Sequence, residues 1–258
     1  MKGDEEEGVG VPEAARPEAE VYGRLRLPEP PEGRPFVYIN MAMTLDGKVT
    51  VGRPGYLLSG SSGDRAAMEE LRAQADAVMV GAGTVRHEDP SLRISRPAHQ
   101  AWRAEAGMLP DPLYCVVSAS ANLPAELRLF RSPNAVVVTR EDAPEDRVLG
   151  LRSRCRVLQA GVGEVDLRGA LSRLRLEDGV RRLLVEGGPT LSFNLIRLGL
   201  VDELFLTLSP LLKGGRDVPS LLGGPGFSYE ELRHAKLLSL LRHSSELYLR
   251  YRLLPPGG

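Results

Sequence analysis

The chain has 258 residues, of which 42% are hydrophobic and 26% charged, enough for one large domain with a substantial core or two small ones. A net charge of −1 builds no field for nucleic acid or acidic membranes, and no apolar run approaches the length of a membrane span. The acidic start has no hydrophobic secretory region, and Cys115 and Cys155 lie in apolar segments without a CxxC partner, so the expectation is a cytoplasmic protein with two buried free thiols.

Residues 1–33 are rich in Glu and Pro and offer little to bury, which predicts a tail, partly disordered or draped on the surface. From residue 34 to 254 a single α/β domain is expected. PFVYINMAM (Pro35–Met43) reads as a strand and SSGDRAAMEELRAQA (Ser61–Ala75) as a helix capped by Ser61. DAVMVG, LYCVVS, AVVVT and CRVLQA read as short buried strands. The polar stretch between Arg86 and Pro112, which holds Trp102, reads as a long loop, functional or disordered. DLRGALSRLRLEDG is a helix ended by Gly179. RRLLVEGGPTLSFNLI is a strand, a glycine turn and a helix that stops at Gly199. DELFLTLSP and SELYLRYRLL then alternate with period two, as antiparallel strands with one open face do. The whole is a mixed sheet, mostly parallel, with antiparallel C-terminal strands.

Two segments share one design: DAVMVGAGTVRHEDP and LLVEGGPTLSFNLI each run from a buried strand through glycines into a helix start. Helix starts offer unpaired backbone N–H groups, and glycines let a phosphate approach them. Pro189 suits the first helical position. Side by side, such turns would suit a dinucleotide pyrophosphate; ordinary tight α/β packing uses glycines too. GAGTVR places Arg86 where a Rossmann fingerprint has its third glycine, and GVGEVDLRG fails the same spacing, which reads as a loop. No P-loop, GxSxG elbow or zinc-deaminase signature is present, and the four histidines have no metal-ligand spacing. Asp46 in MAMTLDGKV shapes a turn or, less simply, takes part in catalysis. Glu186 ends an apolar run just before the second glycine turn. Its carboxylate either ties down that turn or points into the ligand crevice of an open α/β sheet.

MAMTLDGKV, LRAQADAVMVGAGTVRHEDPSL and LLVEGGPTLSFNLIRLGLVDELFLTLSP, in this order, resemble the reductase half of the riboflavin-biosynthesis deaminase–reductase family, from about Arg34 to Leu254. That family includes stand-alone pyrimidine reductases of dihydrofolate reductase-like fold. The resemblance implies helices on both faces of the sheet and an NADPH-dependent oxidoreductase. It would reduce the ribosyl group of a phosphorylated ribosylaminopyrimidinone, opened to its imine at C1′, to ribityl. It implies that Ala42 lies against the nicotinamide and that Gly83, Thr84 and Glu88 contact cofactor, Glu88 standing where the family has Asp. Gly187, Gly188, Pro189, Thr190 and Leu191 would hold the cofactor phosphates. Arg72, Leu92 and Glu186 would contact substrate, Glu186 as the catalytic acid. Arg93 and Arg96 both suit the substrate phosphate, with Arg96 the better placed. Arg140, after AVVVT, is the candidate cation for the 2′-phosphate of NADPH, or an ordinary loop arginine.

Three positions depart from the family pattern: Asn40 replaces a Lys that touches substrate, Tyr56 stands where Ser is frequent, and Ser118-Ala119 replaces an Asp–Ser pair. A stand-alone reductase is expected, with dihydrofolate reduction or non-catalytic NADPH binding as the alternatives. The apolar and tyrosine side chains on the C-terminal strands predict a homodimer.

Overall fold

The computed structural model describes residues 21–23, 25–50 and 61–255. Tyr56 and the first 20 residues lie outside them. The chain forms β1 (Phe36–Thr44), α1 (Ser62–Ala73), β2 (Ala77–Gly81), α2 (Ala82–Glu88), α3 (Pro97–Glu105) and β3 (Leu113–Val117). It continues through β4 (Ala135–Thr139), α4 (Glu145–Arg152), β5 (Arg156–Gln159), α5 (Leu167–Glu177), β6 (Arg182–Val185) and α6 (Pro189–Arg197). It ends in β7 (Glu203–Ser209), β8 (Ala235–His243) and β9 (Glu246–Leu253).

The strands form one sheet in the order β5-β4-β3-β2-β6-β1-β7-β9-β8. From β5 to β7 all neighbours are parallel; β9 pairs antiparallel with both β7 and β8. This is the mostly parallel sheet with an antiparallel C-terminal part that the residue patterns predict. The central strands are buried on both faces, so consecutive residues enter opposite cores. Tyr38, Val80, Val116 and Leu184 pack with Leu71 of α1, Val85 of α2 and Val148 of α4. Val37, Ile39, Met79 and Val185 pack with Leu171 and Leu174 of α5 and Leu195 of α6.

Three segments differ from expectation. The end of the acidic tail does have something to bury: Tyr22 and Leu27 join the first core, with the Tyr22 ring edge-on to Phe205 at 5.2 Å. One aromatic ring brings enough apolar area to dock a segment that is otherwise polar. The backbone N–H groups of Val21 and Tyr22 both donate to Glu70 Oε2, at 2.9 and 3.0 Å. The Arg86–Pro112 stretch contains helix α3, started by Pro97 without a side-chain cap. It is held by Arg103, 1% exposed, which donates to the carbonyls of Ala73 and Ala75 at the end of α1 (2.7 Å each) and of Leu109 (2.8 Å). Finally, β8 carries a register shift between Leu237 and Ser239, which breaks the period-two signal in its sequence.

The topology places a crevice. After β1 the chain skips one position to β2 and proceeds outward to β5; β6 later returns to fill the gap. The direction of travel reverses there, and the C-terminal ends of β1, β2 and β6 open outward at the switch point, where ligands of such sheets bind.

Candidate active site

β2 and β6 are parallel neighbours with Met79 opposite Val185, so the glycine bends that follow them meet. Gly81 donates its N–H to the Gly187 carbonyl at 2.9 Å, and Glu186 donates to the Met79 carbonyl at 3.0 Å. Gly187 has φ +91°, a backbone conformation that glycine adopts at least cost, and the Gly187–Gly188 peptide is cis. A Cβ at Gly188 would sit 3.0 Å from Thr84 Oγ1, so a side chain there would crowd Thr84 on the neighbouring helix start. The geometry thus brings both bends to one place, as the shared design of the two segments predicts.

Two adjoining cavities open around the bends, of about 320 and 610 Å³, with Gly83, Thr84, His87, Gly188 and Pro189 in the walls of both. The smaller is lined by Asn40, Met41 and Ala42 of β1, by Asp64, Met68 and Arg72 of α1, and by Glu88, Glu186 and Gly187. The larger runs between Thr190 and Leu191 on α6, Ser118–Ser120 after β3, and Gly163–Val165 before α5. Arg86 and Arg197 also line it.

Glu186 extends β6 into the smaller cavity, where both of its oxygens are taken. Arg72 Nε donates to Oε1 and Nη2 to Oε2, each at 2.6 Å, while Nη1 donates to the Ser91 carbonyl at 3.0 Å. Both side chains are about one-tenth exposed, at 9% and 10%. Burial pulls the Arg72 pKa down, but the charge and hydrogen bonds of Glu186 outweigh it and raise the pKa overall. The pair is therefore ionised and bidentate.

Asp64 behaves otherwise. The residue is 2% exposed, and burial first, then the negative charges of Glu246 and Glu186, push its carboxyl up to about 6. Thr207 and Arg65 oppose the shift. Burial against the cavity wall also raises the Glu88 pKa. Among the described residues, Asn40 Oδ1 on the smaller cavity and Ser118 Oγ on the larger are buried without a partner. Buried polar atoms are ordinarily satisfied, so each is suited to a bound molecule.

Of the residues singled out by the sequence, Ala42, Arg72, Gly83, Thr84, Glu88, Glu186, Gly187, Gly188, Pro189, Thr190 and Leu191 line these cavities. Leu92, Arg96 and Arg140 do not. Leu92 is 4% exposed within the first core, because an apolar side chain beside β3 is better buried than left at a polar mouth. Arg96 starts α3, its N–H bonded to Glu69 Oε1 at 2.6 Å and its guanidinium 3.6 Å from Oε2. Arg140 donates to the carbonyls of Ala119 (3.0 Å) and Gly163 (2.7 Å), bracing two loops that wall the larger cavity. Asp46 shapes its turn: it accepts from Thr44 Oγ1 and from the N–H groups of Lys213 and Gly214, and these bonds hold its carboxyl well below the usual carboxylate range. The sequence does not single out Asp64 or Met68 for the site, although they stand eight and four residues before Arg72 on the same helical face. The GVGE turn, unsuitable as a fingerprint by its spacing, forms a wall of the larger cavity. Both cysteines are free, and among the described residues no cluster of three metal-ligating side chains exists.

Residues 35–248 match the model of the RibD C-terminal domain. The chain belongs to that family. It is 38% identical over 210 residues to the 2,5-diamino-6-ribosylamino-4(3H)-pyrimidinone 5′-phosphate reductase of Methanothermobacter thermautotrophicus, covering 81% of this chain and 92% of that one. It is 36% identical to the protein of the same name from Archaeoglobus fulgidus, over 75% and 89% of the two chains. Among solved structures, a pyrimidine reductase-like protein of Corynebacterium diphtheriae superposes with a TM-score of 0.76 over 92% of this chain and 98% of that one, at 23% identity, a likeness of fold. Among the described residues no helix is long and apolar enough to cross a membrane.

Proposed function

We propose that the chain is an NADPH-dependent reductase that converts the ribosyl group of 2,5-diamino-6-ribosylamino-4(3H)-pyrimidinone 5′-phosphate, or its deaminated analogue, to ribityl. The observation that carries the reading is the pair of adjoining cavities at one switch point, which share the glycine bends in their walls, the smaller also presenting Asp64, Arg72 and Glu186. The larger suits the cofactor's phosphates and adenosine. Gly83, Thr84 and the Gly187–Leu191 turn would hold it, with Ser118 Oγ as a further polar contact. When bound, NADPH supplies the hydride. Arg86 lines that cavity, with its Nη1 donating to the Asn122 carbonyl at 3.0 Å, and is better placed for the 2′-phosphate than Arg140, which does not line it.

The smaller cavity suits the substrate, with Ala42 at the nicotinamide end. Asn40 offers amide hydrogen-bonding groups in place of the cation usual in this family, and the Arg72–Glu186 pair offers a fixed polar edge for the pyrimidine or the phosphate. With both oxygens engaged, Glu186 orients Arg72 rather than carrying a proton. We further propose a homodimer in the cytoplasm. Leu237 on the edge strand β8 is 46% exposed, an apolar side chain that a second copy would cover. A monomeric mass at micromolar concentration would contradict that assembly.

The test follows NADPH absorbance with the ribosylaminopyrimidinone phosphate and, separately, with dihydrofolate. Turnover of the first alone is expected. Turnover of dihydrofolate alone, or NADPH binding with no turnover of either, would overturn the reading.

A further inference from the structure

We propose that Asp64 is the acid that delivers a proton to the substrate nitrogen as hydride reaches C1′, an inference that rests on the reductase reading. Asp64, Met68 and Arg72 are spaced by four residues on α1, so one helical face points all three into the smaller cavity. Roughly 12 Å of helix separates Asp64 from Arg72, so the acid and the cation stand at different ends of one wall. Asp64 faces Thr207 on β7, which is in register with Ala42 on β1, the residue assigned to the nicotinamide end. It is thus the carboxyl beside the reacting end, while Glu186 is committed to Arg72.

The other groups in the cavity suit the role less. Arg72 holds its protons more tightly than a free arginine. His87 is exposed, and Glu88, though partly covered by the cavity wall, is open to solvent at the cavity mouth. Around Asp64, Glu246 of β9 and Glu186 of β6 favour its neutral form, together with burial; Arg65 on its own helix and Thr207 oppose them. Tyr22 and Tyr248, also close, have their own pKa values raised by burial and stay neutral. The carboxyl therefore keeps a proton to higher pH than an exposed aspartate does.

The step balances as follows. Hydride adds to C1′ of the open-chain imine, the C1′=N π pair moves to nitrogen, and the Asp64 O–H bond breaks as the new N–H bond forms. Asp64 is left as carboxylate and regains a proton from water through the cavity once product leaves.

The experiment compares the unaltered protein with Asp64→Asn, which keeps the shape and cannot release the proton. Expected results are a kcat lower by about 100-fold or more, NADPH affinity unchanged, and loss of the alkaline limb of the kcat–pH profile. Without any ligand, infrared difference spectra between acid and neutral pH should show a buried protonated carboxyl in the unaltered protein and lack that band in D64N. Equal turnover by D64N, or an identical infrared band in both proteins, would overturn the proposal while leaving the reductase reading intact. Should D64N not fold, the unaltered protein decides: a kcat flat across about pH 5 to 9 would overturn it. Absence of turnover by the unaltered protein would overturn the substrate reading and this proposal with it.

Discussion

Glu186 and Asp64 line the same cavity, one at the end of β6 and one in the first turn of α1, and their surroundings differ. Glu186 ends a strand at the switch point and meets a guanidinium in bidentate geometry, so its charge is balanced where it stands. Asp64 sits in the first turn of α1, 2% exposed, with Glu246 and Glu186 adding repulsion to the cost of burial. A helix start ordinarily stabilises a carboxylate, yet here burial wins. Two carboxyl groups, one committed to an ion pair and one buried without a cation partner of its own, can divide labour in an active site. The far end of α1 and the end of β6 together hold a fixed ionic edge, and the start of α1 holds a transferable proton.

The contrast breaks most severely if the cation is removed. Arg72→Met leaves the largely buried Glu186 carboxyl without its partner, which should cost about 3 kcal/mol or more in urea unfolding. Turnover should collapse with it. Glu186→Gln should be milder in stability, because the amide oxygen still accepts one of the two bonds, while kcat falls and NADPH affinity holds. If the double variant is no worse than Arg72→Met alone, the two residues act as one unit. Strict additivity would show that the ion pair seen between them does not couple them.

Asp64→Asn should have the opposite sign. A carboxyl raised from 3.8 to about 6 destabilises the fold when it ionises. The cost is absent below the unfolded pKa, grows as pH rises between the two values, and is complete above the folded one. Its upper size is about 3 kcal/mol. Asparagine carries no such cost, so D64N should gain stability relative to the unaltered protein on going from acid to neutral pH, while losing activity. Parallel urea titrations at both pH values check this, and a difference independent of pH would show that Asp64 is not held neutral by the fold. A residue that costs stability at neutral pH yet serves turnover is what a stability–activity trade-off produces.

The two carboxyl groups were unequally legible in the sequence. Glu186 stands out because a carboxylate that ends an apolar run is costly to bury unless it is paired, and Gly187-Gly188 directly after it opens the backbone to close approach. The parallel strands stand out through composition: unbroken Val and Leu runs such as Val136–Val138 signal burial on both faces. Asp64 gives no such signal. An acid in the first turn after Ser61 is ordinary capping chemistry, and its burial depends on β7, β9 and Tyr22, all distant in sequence. The α3 segment was hidden because its anchor, Arg103, is a charged residue whose burial is compensated by carbonyls of another helix. Local pattern does not report partners that only tertiary contact supplies. The same holds for Leu92 and Arg96, whose motif lies near the cavity while their side chains belong to the core and to Glu69.

The smallest effect probes whether the two ends of α1 are separable. Ser61 caps α1, its Oγ accepting the Asp64 N–H at 2.9 Å while donating to Glu246 Oε2 at 2.7 Å. Tyr248 donates to the same carboxylate oxygen at 2.6 Å, so the first turn of α1 is pinned to β9. Ser61→Ala removes the cap and should cost about 1 kcal/mol in urea unfolding. Arg72 lies more than two turns further along α1, beyond the reach of a frayed first turn. The substrate KM, assigned to the Arg72–Glu186 edge, should therefore hold while kcat falls a few fold through the disturbed Asp64. Ser61→Thr keeps a capping hydroxyl and should recover most of both losses. A rise in KM equal to the fall in kcat would mean that α1 responds as one rigid body and that its two ends do not have separate tasks.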